Sequence, residues 1–432
     1  MMKIVLIGAG SRSFGFGQIK DILMSRELRG RDVILSLVDE NEHALELMTN
    51  LALKIKDHTG TDVKIEKSGD RRKALPGANC IITAVARKRM ELWEQDFRIP
   101  LSYGFRHSIG ENAGPGALFH TLRSLELMIP ICRDIEALCP EALLLNYTNP
   151  EARVLHAICH LTKVNSAGLC HGVFYALDLI SRYFQRPIDE FDVASAGINH
   201  FYCILKLVDK KTGKDLLPEA VNMAMHDRSA ICPPLFRKMA EIFGIFTFPS
   251  DEHIGEFFSY GSEFTGVKWP YGLEKKQFKL EETEPPGLPL EEYLSGKRAL
   301  DQDLVKPSGE MSVPIICDIL LDRKAWRPAV NVMNRELFIE NLPATGIVEV
   351  PAIVDGKGIH PQSVGALPEP FAAMIRTHLA INELITEAYR TRSKKILLQA
   401  LLIDPVVNSV SAAEKMLDEM LELQKDFLPC FE

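Results

Sequence analysis

Short, continuous apolar runs separated by glycine-bearing or polar turns dominate the first half of the chain. Residues 3–7 (Lys3-Ile4-Val5-Leu6-Ile7) are too few for a helix and too uniformly apolar for a half-exposed strand, so they predict a strand covered on both faces. The run passes into Gly8-Ala9-Gly10-Ser11-Arg12-Ser13-Phe14-Gly15, then into a helical stretch through about Ser25 and a second strand over 33–38 that ends at Asp39. Further buried strands are predicted over 78–85, 142–145, 166–169 and 192–196. Beyond Gly197 the alternation of strand and helix weakens. Glu284-Pro285-Pro286-Gly287-Leu288-Pro289 reads as loop, residues 346–354 as strands, and 369–423 as helices. Met, Leu and Ile at helical spacing in 370–384 and 412–423 predict core faces. The pattern predicts an α/β fold: an N-terminal Rossmann doubly wound sheet over 1–195 and a C-terminal mixed α+β domain over 196–432.

Strand, glycine turn, helix and strand in that order form a first βαβ unit. Glycines let the turn tighten and the backbone approach a pyrophosphate, whose charge the helix N-terminal amides stabilise. Gly8, Gly10, Ser11 and Ser13 are therefore cofactor-binding candidates. Ser13 takes the place of a third glycine. Asp39, at the tip of the second strand, is placed to accept from a ribose 2′-hydroxyl and would repel a 2′-phosphate, which favours NAD over NADP. Asn146-Tyr147-Thr148-Asn149-Pro150 follows a strand at the edge where open α/β sheets bind ligands.

With 432 residues and 46% hydrophobic content, the chain can bury one large or two ordinary domains. A net charge of −8 with interspersed signs provides no basic stripe, so nucleic acid is not an expected partner and small ligands are. No apolar run approaches the ~20 residues of a membrane span, and the first residues read as a strand and not a signal peptide, which predicts a cytoplasmic protein away from membranes. Nine cysteines without regular spacing read as reduced thiols.

Two polar clusters about thirty residues apart stand out: Gly168-Leu169-Cys170-His171-Gly172 and Gly197-Ile198-Asn199-His200-Phe201. Taken alone, Cys170 reads as a core cysteine and His200 as a satisfied histidine. Paired at two strand-end turns, a thiolate and an imidazole make a soft metal site with open positions. His58, His156, His160 and His378 are read as structural.

These clusters resemble glycoside hydrolase family 4, whose members depend on NAD and a divalent metal and stand apart from two-carboxylate glycosidases. The resemblance also runs through Arg98-Ile99-Pro100-Leu101, Gly114-Pro115-Gly116, Asn341-Leu342-Pro343, Val348-Glu349-Val350-Pro351 and Ala400-Leu401-Leu402-Ile403-Asp404-Pro405, covering nearly the full length. It implies manganese or another divalent metal on Cys170 and His200, and homodimers or homotetramers. It further implies hydride transfer from sugar carbon 3 to NAD, removal of the carbon 2 proton, loss of the aglycone, water addition and re-reduction. In the segment Ser250-Asp251-Glu252-His253-Ile254-Gly255-Glu256-Phe257 it points to Asp251 as the base, with His253 and Tyr260 behind it. His171 matches the acid of several subgroups, while Asn149 and Glu111 match sugar-hydroxyl contacts.

Cys170-His171-Gly172-Val173 departs from the Cys-Asp and Cys-Asn types that act on 6-phospho-sugars. It resembles the Cys-His types that act on unphosphorylated α-glucosides, α-galactosides and α-uronides, the glycine leaning toward uronides. Trp93 stands where phospho-type members carry an arginine, whereas Glu111 is the phospho-type residue. The expected activity is hydrolysis of a small unphosphorylated α-hexoside or α-hexuronide, with a 6-phosphoglycosidase as the alternative. Rival readings are a malate- or lactate-type dehydrogenase and a non-catalytic NAD-sensing protein.

Overall fold

The computed structural model describes residues 1–229, 231–267, 290–300 and 307–432; the loop predicted over 284–289 lies outside them. The strands are β1 Met2–Ile7, β2 Val33–Val38, β3 Lys64–Ser68, β4 Cys80–Thr83, β5 Leu143–Asn146, β6 Ser166–Gly168, β7 Phe191–Ile198, β8 Phe201–Asp209, β9 Ala325–Met333, β10 Ile347–Asp355 and β11 Gly358–Pro361. They form one sheet in the order β3-β2-β1-β4-β5-β6-β9-β10-β7-β8, with β11 added on β10. The first six are parallel in the order of a Rossmann sheet. At β6 the sense reverses, because Gly168 pairs antiparallel with Asn331 of β9, and β10, β7 and β8 continue antiparallel.

The apolar runs predicted β1, β2, β4, β5, β6, β7 and β10 within a few residues of their ends. β3 escaped prediction because Lys64, Glu66 and Lys67 make it polar, and it can be so because it is an edge strand with little buried surface. β7 spans residue 195, and in chain order the change from parallel to antiparallel strands falls between β6 and β7.

Period-two alternation sorts the core. In β1, Ile4 and Leu6 face one cluster with Tyr293, Ile315 and Ile316. Val5 and Ile7 face another with Leu122, Ile135, Leu397 and Met416. A third cluster gathers Phe201, Tyr202, Phe236 and Phe246 beyond the last parallel strand. Helix Glu369–Thr391 joins two of them, placing Phe371, Ile375 and Leu379 in the third and Ile381, Ile385 and Ala388 in the second. Each large aliphatic buried there contributes about 1.5–3 kcal/mol, so this helix ties the C-terminal half to the nucleotide half. Helices Lys394–Leu402 and Val410–Leu423 complete the predicted helical tail. No helix among the described residues is long and apolar enough to cross a membrane.

Candidate active site

The carboxyl ends of β1, β2, β4, β5 and β6 open onto one cleft of about 1660 Å³. Gly8, Gly10, Ser11, Ser13 and Asp39 line one end; Glu111, Asn149, Cys170, His171, His200 and His253 line the other. Gly8 leaves β1 at φ +91°, and a Cβ there would stand 2.2 Å from the Ala84 carbonyl oxygen, so only glycine fits. Close approach of the following helix to the turn falls to Gly15, whose Cβ would lie 2.5 Å from the Ala9 carbonyl oxygen. It supplies the packing role that Ser13 was expected to vacate. Asp39 accepts from the Gly10 amide at 2.8 Å and the Asn41 amide at 2.9 Å, so it fixes the turn to β2 with one carboxylate while still facing the cleft.

Cys170 and His171 form the turn between β6 and helix Gly172–Phe184. His200 sits in the two-residue turn between β7 and β8 at φ +66°, a left-handed conformation that costs a non-glycine residue on the order of 1 kcal/mol. The turn brings His200 Nε2 to 3.3 Å from Cys170 Sγ. That separation is short enough for one ion to take both atoms as donors. Burial pushes the Cys170 thiol up to about 12 and the His200 imidazolium down to about 3, so both are neutral until a cation displaces the thiol proton. No group of three or more His, Cys, Asp or Glu among the described residues could hold a metal ion. The pair supplies two donors, and open positions would fall to substrate and water.

His253, on the short helix Asp251–Ile254, stacks on Phe248 (5.4 Å, 8°) and lies 4.6 Å from the His200 ring. Nδ1 of both histidines is buried without a hydrogen-bond partner among the described residues. Burial lowers the His253 pKa, which keeps the ring neutral. Glu111 accepts from Arg89 at 2.7 Å and from Asn149 Nδ2 at 3.3 Å. Burial alone would raise its pKa, but the Arg89 guanidinium foremost holds it down to about 2. The loop carrying Glu111 is fixed by Glu256, which is buried and accepts from the amides of Asn112 at 2.5 Å and Ala113 at 2.8 Å. His171 bonds Glu310 through Nδ1 at 2.9 Å, and this carboxylate raises its pKa.

Two of the expected site residues are not brought to the cleft. Asp251 turns away and accepts from the amides of Leu235 (2.8 Å) and Phe236 (2.9 Å), capping helix Pro234–Phe243. That helix opens on Pro233, which has no side-chain oxygen, so its first-turn amides take their acceptor from sixteen residues downstream. Tyr260 is half-buried against Phe258 at 4.9 Å and packs on the third core cluster. Trp93 is buried, donating Nε1 to the Ile109 carbonyl. The Arg89 guanidinium lies over its ring and reaches the cleft, so a cation is present near that place. Arg89, Glu256 and Glu310 carried no local signal of a role; the contacts that define them span 22 to 145 residues of chain.

A six-stranded Rossmann sheet whose carboxyl edge holds a glycine turn, a Cys-His donor pair and buried imidazoles defines an α/β enzyme of the dinucleotide-binding type. The family 4 glycosyl hydrolase model matches residues 3–185, and the model of that family's C-terminal domain matches 195–407. The chain belongs to family 4 of the glycosyl hydrolases. An alpha-glucosidase of Erwinia rhapontici is 30% identical over 99% of this chain and 98% of its own length. A probable 6-phospho-beta-glucosidase of Bacillus subtilis (strain 168) is also 30% identical, over 100% and 98%. A 6-phospho-alpha-glucosidase from gut microorganisms, solved in complex with NAD and Mn2+, matches with a TM-score of 0.82 at 19% identity over 100% of both chains. Family membership disfavours the malate- or lactate-type dehydrogenase. Equal identity to phospho and unphosphorylated types leaves the substrate to the site.

Proposed function

We propose that the chain hydrolyses an unphosphorylated α-hexoside or α-hexuronide with NAD and a divalent metal, manganese first, through oxidation, elimination, water addition and re-reduction. The observation that carries this reading is the 3.3 Å approach of Cys170 Sγ to His200 Nε2 in the same cleft as the glycine turn, with His253 beside it. When bound, NAD would supply hydride acceptance and return, and the metal would supply Lewis acidity toward the sugar oxygens.

Gly8, Gly10, Ser11 and Ser13 would seat the pyrophosphate at the start of helix Phe14–Met24, and Asp39 the ribose hydroxyls. Cys170 and His200 would hold the metal. Asn149 and the ionised Glu111 would orient sugar hydroxyls. His253, neutral and lining the cleft beside His200, is the base assigned to the carbon 2 proton, in place of Asp251, whose oxygens are engaged. His171 is the acid for the leaving oxygen. Free thiols at all nine cysteines suit a reducing compartment, the cytoplasm, and a homodimer or homotetramer is the proposed assembly, read by light scattering.

A panel of nitrophenyl α- and β-glycosides, uronides and 6-phosphates, turned over with NAD, manganese and thiol in heavy water, tests the whole. Deuterium at carbon 2 of an unphosphorylated sugar is expected. Hydrolysis without deuterium would overturn the elimination route. The second reading, a 6-phosphoglycosidase, is favoured by Arg89 in the cleft; turnover confined to 6-phosphates would establish it.

A further inference from the structure

His171 is half-exposed at the cleft, and the one hydrogen bond of its ring among the described residues runs from Nδ1 to Glu310 Oε1 at 2.9 Å. Glu310 is 12% exposed and its second oxygen, Oε2, is buried without a partner. The carboxylate is presented by a braced segment. Ser308 donates from its amide (2.9 Å) and hydroxyl to Asp21 on helix Phe14–Met24; the Glu310 amide donates to Ser308 Oγ at 3.2 Å; the Ser312 amide donates to Tyr147 Oη at 3.0 Å, and its hydroxyl to Gln18. A chain segment from the C-terminal half is thus tied at four points to the glycine-turn helix and to the Asn146–Pro150 segment. It offers one fixed acceptor to the residue beside Cys170.

The geometry points to Glu310 as a positioning residue for His171: it binds Nδ1, fixes the tautomer and the ring plane, and leaves Nε2 as the nitrogen that faces the scissile oxygen. A histidine on a turn loses ring freedom when one nitrogen is anchored. The step it serves is proton transfer. As the carbon 1–oxygen bond breaks, its electron pair goes to the leaving oxygen, Nε2 supplies the proton, and the neutral ring keeps its Nδ1–H on Glu310. This rests on the assignment of His171 as the acid.

The test compares Glu310→Gln, Glu310→Asp and His171→Asn on aryl α-glycosides of the sugar that is turned over, from dinitrophenyl to phenyl leaving groups, with NAD affinity and melting temperature followed alongside. A group that positions the acid matters most where the leaving oxygen most needs a proton. Glu310→Gln is expected to lower kcat/KM about 10- to 100-fold for phenyl and only a few-fold for dinitrophenyl, with Glu310→Asp between it and the wild type. His171→Asn should show the same leaving-group trend, and the double variant should be no worse than His171→Asn alone. A leaving-group trend in His171→Asn without one in Glu310→Gln overturns the role of Glu310 and leaves the acid in place. The absence of a trend in His171→Asn overturns both. A loss in Glu310→Gln that is uniform across leaving groups, or confined to KM or NAD affinity, shows instead that Oε2 contacts substrate or cofactor and overturns the positioning role.

Discussion

The sharpest prediction concerns Asp251 and His253, two residues apart in sequence and opposite in orientation. Asp251→Asn keeps the size of the side chain and one acceptor oxygen but removes the charge and one of two bonds to the Leu235 and Phe236 amides. A cap is worth about 0.5–2 kcal/mol, and a charge at a helix N-terminus adds about 0.3–1. The variant should therefore lose about 1–2 kcal/mol of stability, seen as a lower urea midpoint at unchanged slope. Its kcat/KM with NAD and manganese should stay within about tenfold of wild type. His253→Gln should do the reverse: near-wild-type stability, and kcat/KM down by about 10²–10⁴, the worth of a general base, or roughly 3–5 kcal/mol of barrier. Deuterium incorporation at carbon 2 should slow in parallel. A normal urea midpoint in Asp251→Asn together with a loss above about 10² would refute this reasoning and restore Asp251 as the base.

Three further outcomes are expected. Gly8→Ala, whose Cβ would press 2.2 Å from the Ala84 oxygen, should abolish NAD binding by fluorescence titration or fail to fold. Cys170→Ser should weaken metal binding at least about 10-fold, since it replaces a thiolate with a hydroxyl; equal manganese affinity by titration would count against Cys170 as ligand. Burial holds His107 and His378 neutral, with pKa values near 4 against an unfolded value near 6.5. The unfolded chain therefore takes up protons first as pH falls, and stability present above about 6.5 is lost down to about 4, by up to about 1.4 kcal/mol per pH unit for each histidine. His378→Gln should flatten the urea midpoint's dependence on pH in that interval, and an unchanged profile would contradict it.

The parts of this fold legible in the sequence are those whose local chemistry has one structural meaning. A continuous apolar run followed by Gly8 and Gly10 has few other uses, and β1, β2 and the turn fell where expected. Cys170 and His200 were legible as polar residues at strand ends, but nothing local says that their atoms meet; that follows from β7 being threaded through the sheet beyond β10 and β9. Within the segment 250–257 the sequence alone does not separate the candidates, because which side chain faces the cleft depends on packing against a distant helix. The carboxylate at 251 is drawn to a helix whose first residues are prolines, and His253 takes the cleft. Glu310 could not be read at all, because its meaning depends on a chain reversal across 139 residues. Polar β3 was missed because an edge strand needs no apolar alternation.

Cys170 belongs to the last parallel turn and His200 to the first antiparallel hairpin, so an ion shared between them would fasten the parallel part of the sheet to the antiparallel part across two intervening strands. An ion present at a hundred times its dissociation constant adds about 2.7 kcal/mol to the folded state. Metal supply would then govern the lifetime of the molecule as well as its turnover.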